Sequence, residues 1–232
     1  MSQDPTGVTL DLTPHGTIHV DCEVNGPIET NTYFVCSQDE VVVIDPAWDG
    51  EKLARDFTAA HPKVRIVAIV CTHGHADHIG GVAGMRRVLG EQVPYILPAR
   101  EEAFVAGALA EMKSKWGYGF EDPGTPTRLL REGDTVSFGA ARLQMFETPG
   151  HTPGGSVLFC AAENGNFAFV GDTLFPGSHG RTDLRGGDEQ TILASLAKMK
   201  RLLPADTMCL IGHGPATTMG HEAQTNPFLV VA

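Results

Sequence analysis

The stretch Thr72-His-Gly-His-Ala-Asp-His-Ile-Gly-Gly81 carries four side chains of the kinds that bind metal ions in proteins. They are His73, His75, Asp77 and His78. Three imidazoles and a carboxylate crowded into one short stretch are hard to explain as core or as ordinary surface. The stretch follows the apolar run 66–71, which predicts a buried strand. Neutral imidazole and carboxylate suit zinc, iron or manganese better than metals that prefer softer ligands. The sequence therefore predicts a metal centre just past the end of a strand.

The spacing of these four residues predicts two ions rather than one. His73 and His75 lie two positions apart on an extended turn, so both can point at the same ion. Asp77 and His78 are adjacent where a helix is about to begin, and they would face a second ion nearby. Two metals about 3.5–4 Å apart can share a bridging hydroxide, which is the arrangement of two-metal hydrolases. The Gly80-Gly81 pair is expected to let the backbone pass close to this site.

Three more candidate ligands stand alone, each in a glycine-rich loop after an apolar run. They are His151 in Thr148-Pro-Gly-His-Thr-Pro-Gly-Gly155, Asp172 in Gly171-Asp-Thr-Leu174, and His213 in Gly212-His-Gly-Pro215. A single histidine after a strand is more often a hydrogen-bonded structural residue. Three such residues in the same setting, added to the first cluster, predict one shared centre.

The order His-x-His-x-Asp-His, then His, then Asp, then His resembles the metallo-β-lactamase superfamily, from about Asn31 to the C-terminus. This resemblance implies a mixed α/β (α+β) fold, a four-layer αββα sandwich of two similar halves with the metals at the edge between them. It implies two divalent metal ions per chain, zinc first, with iron or manganese as alternatives. It assigns His73, His75 and His151 to one ion, Asp77, His78 and His213 to the other, and Asp172 to both as a bridge.

Residues around the ligands are expected to support them. Asp77 would orient the nucleophile while it ligates a metal, which makes it the expected catalytic residue. Asp45 ends the strand 41–45 and matches the family's first motif, so it either orients the ligands by hydrogen bonds or caps a turn before Pro46. Thr72 and Thr152 either make similar hydrogen bonds or cap turns.

The chain is long enough for a single domain, residues 1–232, built from two closely packed halves. The halves are expected at about 1–107 and 127–232, joined by a linker at 108–126. This linker carries Trp116 and Tyr118 among glycines. These aromatic groups either form a lid or substrate wall, or anchor the linker on the domain surface.

A second unusual segment follows Asp172 and contains Gly-Arg-Thr-Asp, which is similar to a stretch in glyoxalase II-like hydrolases. Arg181 is expected to pair with Asp183 and fix this loop. Alternatively, His179 and Arg185 reach an anionic substrate.

Apolar patterning and turn residues predict the remaining elements. Strands are expected near 17–20, 32–36, 41–45, 66–71, 95–97, 127–130, 135–138, 141–146, 156–160, 166–170 and 208–211. Helices are expected near 50–60, 80–89, 100–107 and 188–203.

The composition favours a small-molecule substrate over nucleic acid or a membrane as the binding partner. It does not indicate the oligomeric state. A formal net charge of −11 argues against nucleic acid and against an anionic membrane surface. The N-terminus lacks the pattern of a signal peptide, and no run approaches the length of a membrane span. The five cysteines form no Cys-x-x-Cys pair, which favours free thiols in a reducing compartment. The expected location is therefore cytoplasmic.

The resemblance is greatest to short glyoxalase II-like metallohydrolases, which implies dinuclear metal-dependent hydrolysis of thioesters or related esters. Glyoxalase II proper has a C-terminal helical extension that helps to hold glutathione, whereas only residues 214–232 follow His213 here. The alternatives are a lactonase, a non-catalytic metal-binding protein, and a mononuclear iron persulfide dioxygenase. The dioxygenase would use the positions of His73, His151 and Asp172.

Overall fold

The computed structural model describes residues 7–230, and it contains two six-stranded sheets. Residues 1–6 of the stretch considered for a signal peptide lie outside this range. In spatial order, the first sheet contains β1 (His19–Asn25), β2 (Thr30–Ser37), β3 (Glu40–Ile44), β4 (Arg65–Val70), β5 (Tyr95–Pro98) and β6 (Arg128–Leu130). In spatial order, the second contains β14 (Thr217–Thr218), β13 (Met208–Ile211), β10 (Gly165–Gly171), β9 (Ser156–Ala162), β8 (Ala141–Glu147) and β7 (Thr135–Phe138).

The remaining strands form a short hairpin, and the described chain also contains seven α-helices, the 3₁₀ turn Ala99–Glu101 and the π-helical turn Met112–Trp116. The hairpin consists of β11 (Leu174–Phe175) and β12 (Ser178–His179). The helices are α1 (Gly50–Ala60), α2 (Ala76–Ile79), α3 (Val82–Leu89), α4 (Val105–Glu111), α5 (Glu189–Leu202), α6 (Met219–Thr225) and α7 (Pro227–Val230). Within residues 7–230, none of these helices is long and apolar enough to cross a bilayer.

The central strands of each sheet, such as β3 and β9, are buried on both faces, which accounts for their nearly continuous apolar sequences. On β3, Val42 and Ile44 point between the two sheets, while Val41 and Val43 point outward to the layer of α1 and α3. On β9, Leu158 points inward and its neighbours point outward to the layer of α5. This two-residue alternation builds one core between the sheets and one under each helical layer. The expected four-layer αββα sandwich is confirmed.

Helix α5 illustrates how local sequence sets an element of this sandwich. The Asp188 side chain caps its N-terminus by accepting the N–H of Thr191 at 2.7 Å. Ile192, Leu196 and Met199 lie on one face of the helix and are fully buried. Such spacing places the apolar stripe against the outer face of the second sheet.

One expectation about the first half is wrong. The helix expected over 100–107 is instead the 3₁₀ turn Ala99–Glu101 followed by α4, which starts at Val105. Glu101 lies at the end of this turn, and its buried carboxylate accepts backbone N–H groups of two loops. Strand β6 pairs in parallel with β5 and extends the first sheet through Leu130. The division into halves at about 1–107 and 127–232 stays a prediction.

The helix expected to begin near residue 80 is split in two, and its first part, α2, begins inside the histidine motif at Ala76. Gly80 and Gly81, which lie between α2 and α3, pack against residues other than the predicted metal ligands. The Gly81 N–H donates to the Pro46 carbonyl at 2.8 Å. A side chain at Gly80 would collide with the ring of Phe120. The pair therefore serves close packing of the backbone and not, as expected, the approach to the site.

Asn31, at the start of β2, joins the two sheets. Its side-chain amide donates to the carbonyl oxygens of Ile211 and Gly214, both at 2.9 Å. Its backbone N–H donates to the Gly212 carbonyl at 2.8 Å. The Tyr33 hydroxyl donates to the Ile211 carbonyl at 2.6 Å. These bonds hold β2 of the first half against the end of β13 in the second half.

Replacing Asn31 by Ala should lower the free energy of unfolding by about 1–3 kcal/mol, because the Gly214 carbonyl loses its side-chain donor and the Ile211 carbonyl keeps only the Tyr33 hydroxyl. Urea unfolding at matched metal loading measures this change. Asn166→Ala is the control, since the Asn166 amide makes an exposed bond to Asp206 and should cost less than about 0.5 kcal/mol. Equal losses in the two variants would contradict the role given to Asn31.

Candidate metal centre

The seven predicted ligands come from segments at the carboxyl ends of strands in both sheets, and two of them, Asp77 and His78, lie in the short helix α2. His73, His75, Asp77 and His78 follow β4, His151 lies between β8 and β9, Asp172 follows β10, and His213 follows β13. The parallel strands β3 and β4 on one side, and β10 and β13 on the other, end at the same edge of the sandwich. The structure brings all seven side chains together there, from positions up to 140 apart (73 to 213).

Three imidazole nitrogens form the first group. The Nε2 of His73 lies 3.2 Å from the Nδ1 of His75, which lies 2.9 Å from the Nε2 of His151. The other nitrogen of His151 donates to the Arg181 carbonyl at 2.8 Å. The Nδ1 of His73 lies 3.0 Å from the Thr72 hydroxyl. His73 and His151 therefore present unprotonated Nε2 atoms to the shared space, where a cation would satisfy them.

Asp77, His78 and His213 form the second group. The Nε2 of His213 lies 3.3 Å from the Asp77 carboxylate and 3.3 Å from the Nε2 of His78. The Nδ1 of His213 donates to the Ile28 carbonyl at 3.0 Å, and that of His78 donates to Asp45 at 3.0 Å. Here too the outer hydrogen bonds direct the Nε2 atoms inward, beside a carboxylate.

Asp172 lies between the two groups. Its Oδ2 is 3.5 Å from the Nε2 of His151 in the first group and 3.5 Å from that of His213 in the second. Its Oδ1 is 3.4 Å from the Nε2 of His78 but makes no hydrogen bond within the described chain, although it is buried. A buried carboxylate oxygen without a donor is costly. The donor set and this unsatisfied oxygen therefore fit bound divalent cations.

The protonation of the cluster also suits metal ligands. Burial, followed by the nearby imidazoles, lowers the pKa of His75 to about 3 and holds that of His73 well below its usual range. Burial opposes ionisation of Asp77 and Asp172, but the adjacent histidines, His78 first, outweigh it and lower both carboxyl pKa values. His73 and His75 are thus neutral imidazoles beside the ionised carboxylates of Asp77 and Asp172.

In the second group, carboxylates outweigh burial in the opposite direction. Burial alone would lower the pKa of His78, but Asp172 and then Asp77 raise it to about 8. The pKa of His213 rises to about 11 because Asp172 and Asp77 accept hydrogen bonds from it. A cation between these groups would take the place of the imidazole protons.

Asp45 holds the ligands from outside. Its Oδ1 accepts the Thr72 N–H at 2.7 Å, and its Oδ2 accepts the Thr72 hydroxyl at 2.7 Å and the His78 Nδ1–H at 3.0 Å. Because the Thr72 proton goes to Asp45, Thr72 accepts the Nδ1–H of His73. Asp45 also lies near enough to His73 and His78 to be counted with them as a ligand. Its oxygens are already engaged, however, so we assign it an orienting role.

Thr152 and Glu101 lie under the ligand loops. The Thr152 hydroxyl is buried and makes no hydrogen bond of good geometry within the described chain. Burial raises the pKa of Glu101, and the nearby Thr152 hydroxyl opposes this rise without cancelling it. Its carbonyl accepts the Gly150 N–H at 3.0 Å, which closes the turn around His151. Glu101 is fully buried and accepts the N–H groups of Gly74 and Gly154. The sequence reasoning missed Glu101, for which the only local signal is an acid at the start of an expected helix.

A cavity of about 520 Å³ opens over the cluster. The ligands His75, Asp77, His151, Asp172 and His213 form its base, and its walls are Ile28, Met112, Trp116, Tyr118, Phe175, Ser178, Arg181 and Leu184. Trp116 and Tyr118 thus line the cavity. The linker is also anchored, because the rings of Tyr118 and Phe120 pack edge-on against Trp48, with centroids 5.3 and 4.4 Å away.

His179 and Arg185, the other two expected substrate contacts, do not line this cavity. The Nδ1 of His179 bonds to the Gly180 carbonyl at 2.8 Å, and its Nε2 lies 3.2 Å from Glu189. The guanidinium of Arg185 lies against Gly107. Arg181 lines the cavity instead, and its guanidinium donates to both oxygens of Asp183 at 2.7 Å.

Known proteins are similar to this chain over most of its length. Residues 25–213 match the model of the metallo-beta-lactamase superfamily. The chain is 35% identical to "Probable metallo-hydrolase YqgX" of Bacillus subtilis, over 88% of this chain and 94% of that protein. It is 31% identical to the hydroxyacylglutathione hydrolase GloC of Haemophilus influenzae, over 81% and 86%.

Solved structures agree with the sequence relatives. The crystal structure of the BLEG-1 B3 metallo-beta-lactamase superposes with a TM-score of 0.81 at 34% identity, covering 91% of this chain and 99% of that one. The di-iron-bound form of TTHA1623 gives 0.80 at 37% identity, covering 90% and 100%. With these matches and its seven converging ligands, the chain belongs to the metallo-β-lactamase superfamily of metal-binding hydrolases.

Proposed function

We propose that this protein is a dinuclear metal-dependent hydrolase that cleaves thioesters or related esters. The observation that carries the dinuclear proposal is the position of Asp172, within 3.5 Å of His151 in one ligand group and of His213 in the other. A single carboxylate there can serve two ions. The di-iron form of TTHA1623 supports the same count, while zinc remains our first choice because imidazole and carboxylate ligands suit it.

Each part of the site has a task in this reaction. When bound, the ions would lower the pKa of a water toward about 7 and polarise a carbonyl group. Asp77 would hold and orient the attacking oxygen while it ligates. Asp45 and Thr72 keep His73 and His78 in the orientation that ligation needs. The cavity walls would hold the substrate with its carbonyl facing the base.

The choice of thioesters follows from the leaving group. Thiolates depart readily, so their release needs no strong proton donor. Apart from the ligands, the described cavity lining offers only Ser178, Tyr118 and Arg181 as polar side chains, and it holds no further carboxylic acid that could act as a proton donor. The relative named hydroxyacylglutathione hydrolase supports a thioester substrate.

We place the protein in the cytoplasm, acting on a small molecule and not on nucleic acid or membranes. Its five cysteines are all unpaired, and Cys71, Cys160 and Cys209 are buried. Free thiols of this kind fit a reducing compartment.

Metal-replete protein should hold close to two ions per chain, as measured by elemental analysis. Asp172→Ala should weaken the binding of both ions together, because the bridging position is lost. Asp183→Ala is the control, an acid of nearby sequence that is tied to Arg181 and not to the ligands. At most one ion in the wild type, or loss of one ion alone in Asp172→Ala, would refute the dinuclear proposal.

Thioesters such as S-lactoylglutathione should be cleaved faster than lactams or phosphodiesters of similar size. Lactams and phosphodiesters both lack a leaving group that departs without a proton donor. The measurement is kcat/KM for matched substrates, with a lactone included, at one metal loading. A higher value for a lactam or phosphodiester would overturn the assignment, and a higher value for the lactone would favour the lactonase alternative over thioesters. Oxygen uptake with glutathione persulfide, together with thioester inactivity, would move the protein to the dioxygenase class.

A further inference from the structure

The walls of the metal cavity are more apolar than the proposed function by itself requires. Trp116 is 53% exposed and Ile28 is 39% exposed, which makes them two of the few large apolar side chains on the described surface. Both face the cavity, together with Met112, Phe175 and Leu184. Large apolar groups left open to water beside a reactive centre indicate a surface that a ligand covers.

The same walls offer little to a highly charged substrate. Arg181 is the only arginine or lysine among the described lining residues, and its guanidinium is engaged by both oxygens of Asp183. A glutathione thioester carries two carboxylates, and burying them without partners is costly. The formal charge of −11 adds no general attraction for such an anion.

We infer that this site takes a thioester with an apolar acyl group, which packs against Trp116 and Ile28, in preference to a glutathione conjugate. This inference rests on the proposed function. In the reaction, water supplies the oxygen of the new acyl C–O bond and the C–S bond breaks. The sulfur keeps the electron pair and takes up a proton, so the products are a carboxylate, a thiol and one proton.

A series of acyl thioesters with one neutral leaving group, N-acetylcysteamine, tests this inference. From acetyl to decanoyl, kcat/KM should rise about twofold to fourfold for each methylene that the walls bury. In Trp116→Ala the series should flatten, with KM rising more than kcat falls. Leu12→Ala is the matched control, because Leu12 is also 53% exposed but lies outside the cavity.

Calorimetric binding of the straight-chain carboxylates from acetate to decanoate separates this inference from the proposed function. Affinity that rises with chain length supports the apolar site even if no thioester is hydrolysed. Thioester hydrolysis without any dependence on chain length overturns the inference and leaves the proposed function standing. A higher kcat/KM for S-lactoylglutathione than for the best acyl thioester also overturns it.

A second inference rests on Glu101, which connects two ligand loops. Its Oε2 accepts the N–H of Gly74, the residue between His73 and His75, at 2.7 Å. Its Oε1 accepts the N–H of Gly154, in the loop that carries His151. Both carboxylate oxygens are thus used, one for each half of the fold. We also infer that Glu101 is a positioning residue, which sets the separation of these loops and so the affinity for metal.

Glu101→Gln should weaken metal binding about 10- to 100-fold, because an amide accepts at only one of the two positions and frees one loop. Competition with a chromophoric chelator measures this affinity in protein shown to be folded by circular dichroism. Glu222→Gln is the control, since Glu222 is equally buried but accepts from Gly177 and Thr217. Wild-type metal affinity in Glu101→Gln, or equal losses in both variants, would overturn the inference.

Discussion

The centre depends on hydrogen bonds that point away from it. Four of its five imidazoles donate an Nδ1 proton outward, to the Thr72 hydroxyl, the Asp45 carboxylate, and the carbonyls of Arg181 and Ile28. Each such bond fixes both the ring orientation and the nitrogen left free for a ligand bond. Without them, protons and lone pairs would be distributed over both ring nitrogens. The position of the metal-binding atoms is therefore decided mainly by groups that never touch a metal.

Asp45 is the most heavily used of these outer groups. It accepts three hydrogen bonds, and its backbone lies in the left-handed region at φ 51°. Non-glycine residues in this region carry strain that the surrounding structure must hold in place. The hydrogen bond from the Asp45 N–H to the Val70 carbonyl, at 3.1 Å, joins the ends of β3 and β4 and provides this support. The sheet thus stabilises a backbone conformation that serves the site.

The convergence of the seven candidate ligands could be predicted from the sequence because their segments follow apolar runs, and parallel strands bring such positions to one edge of a sheet. Glu101 could not be found in this way, because its partners lie 27 and 53 residues away and leave no local pattern. The short strand β6 was predicted from the sequence. The sheet that it joins could not be predicted, because membership depends on pairing with β5. His179 and Arg185 were expected to reach a substrate from their charge alone. Their contacts with Glu189 and Gly107 are set by tertiary packing.

The distribution of ligands between the halves has a consequence for the life of the chain. The first half contributes the ligands of the histidine motif, while His151, Asp172 and His213 come from the second. A ribosome-bound chain that ends before His213 therefore holds only part of a centre. Ions that bind the complete set would stabilise only the state in which the halves are joined, by mass action. The supply of metal would then determine how long the two halves of the folded chain stay joined, and so how well the chain resists proteolysis.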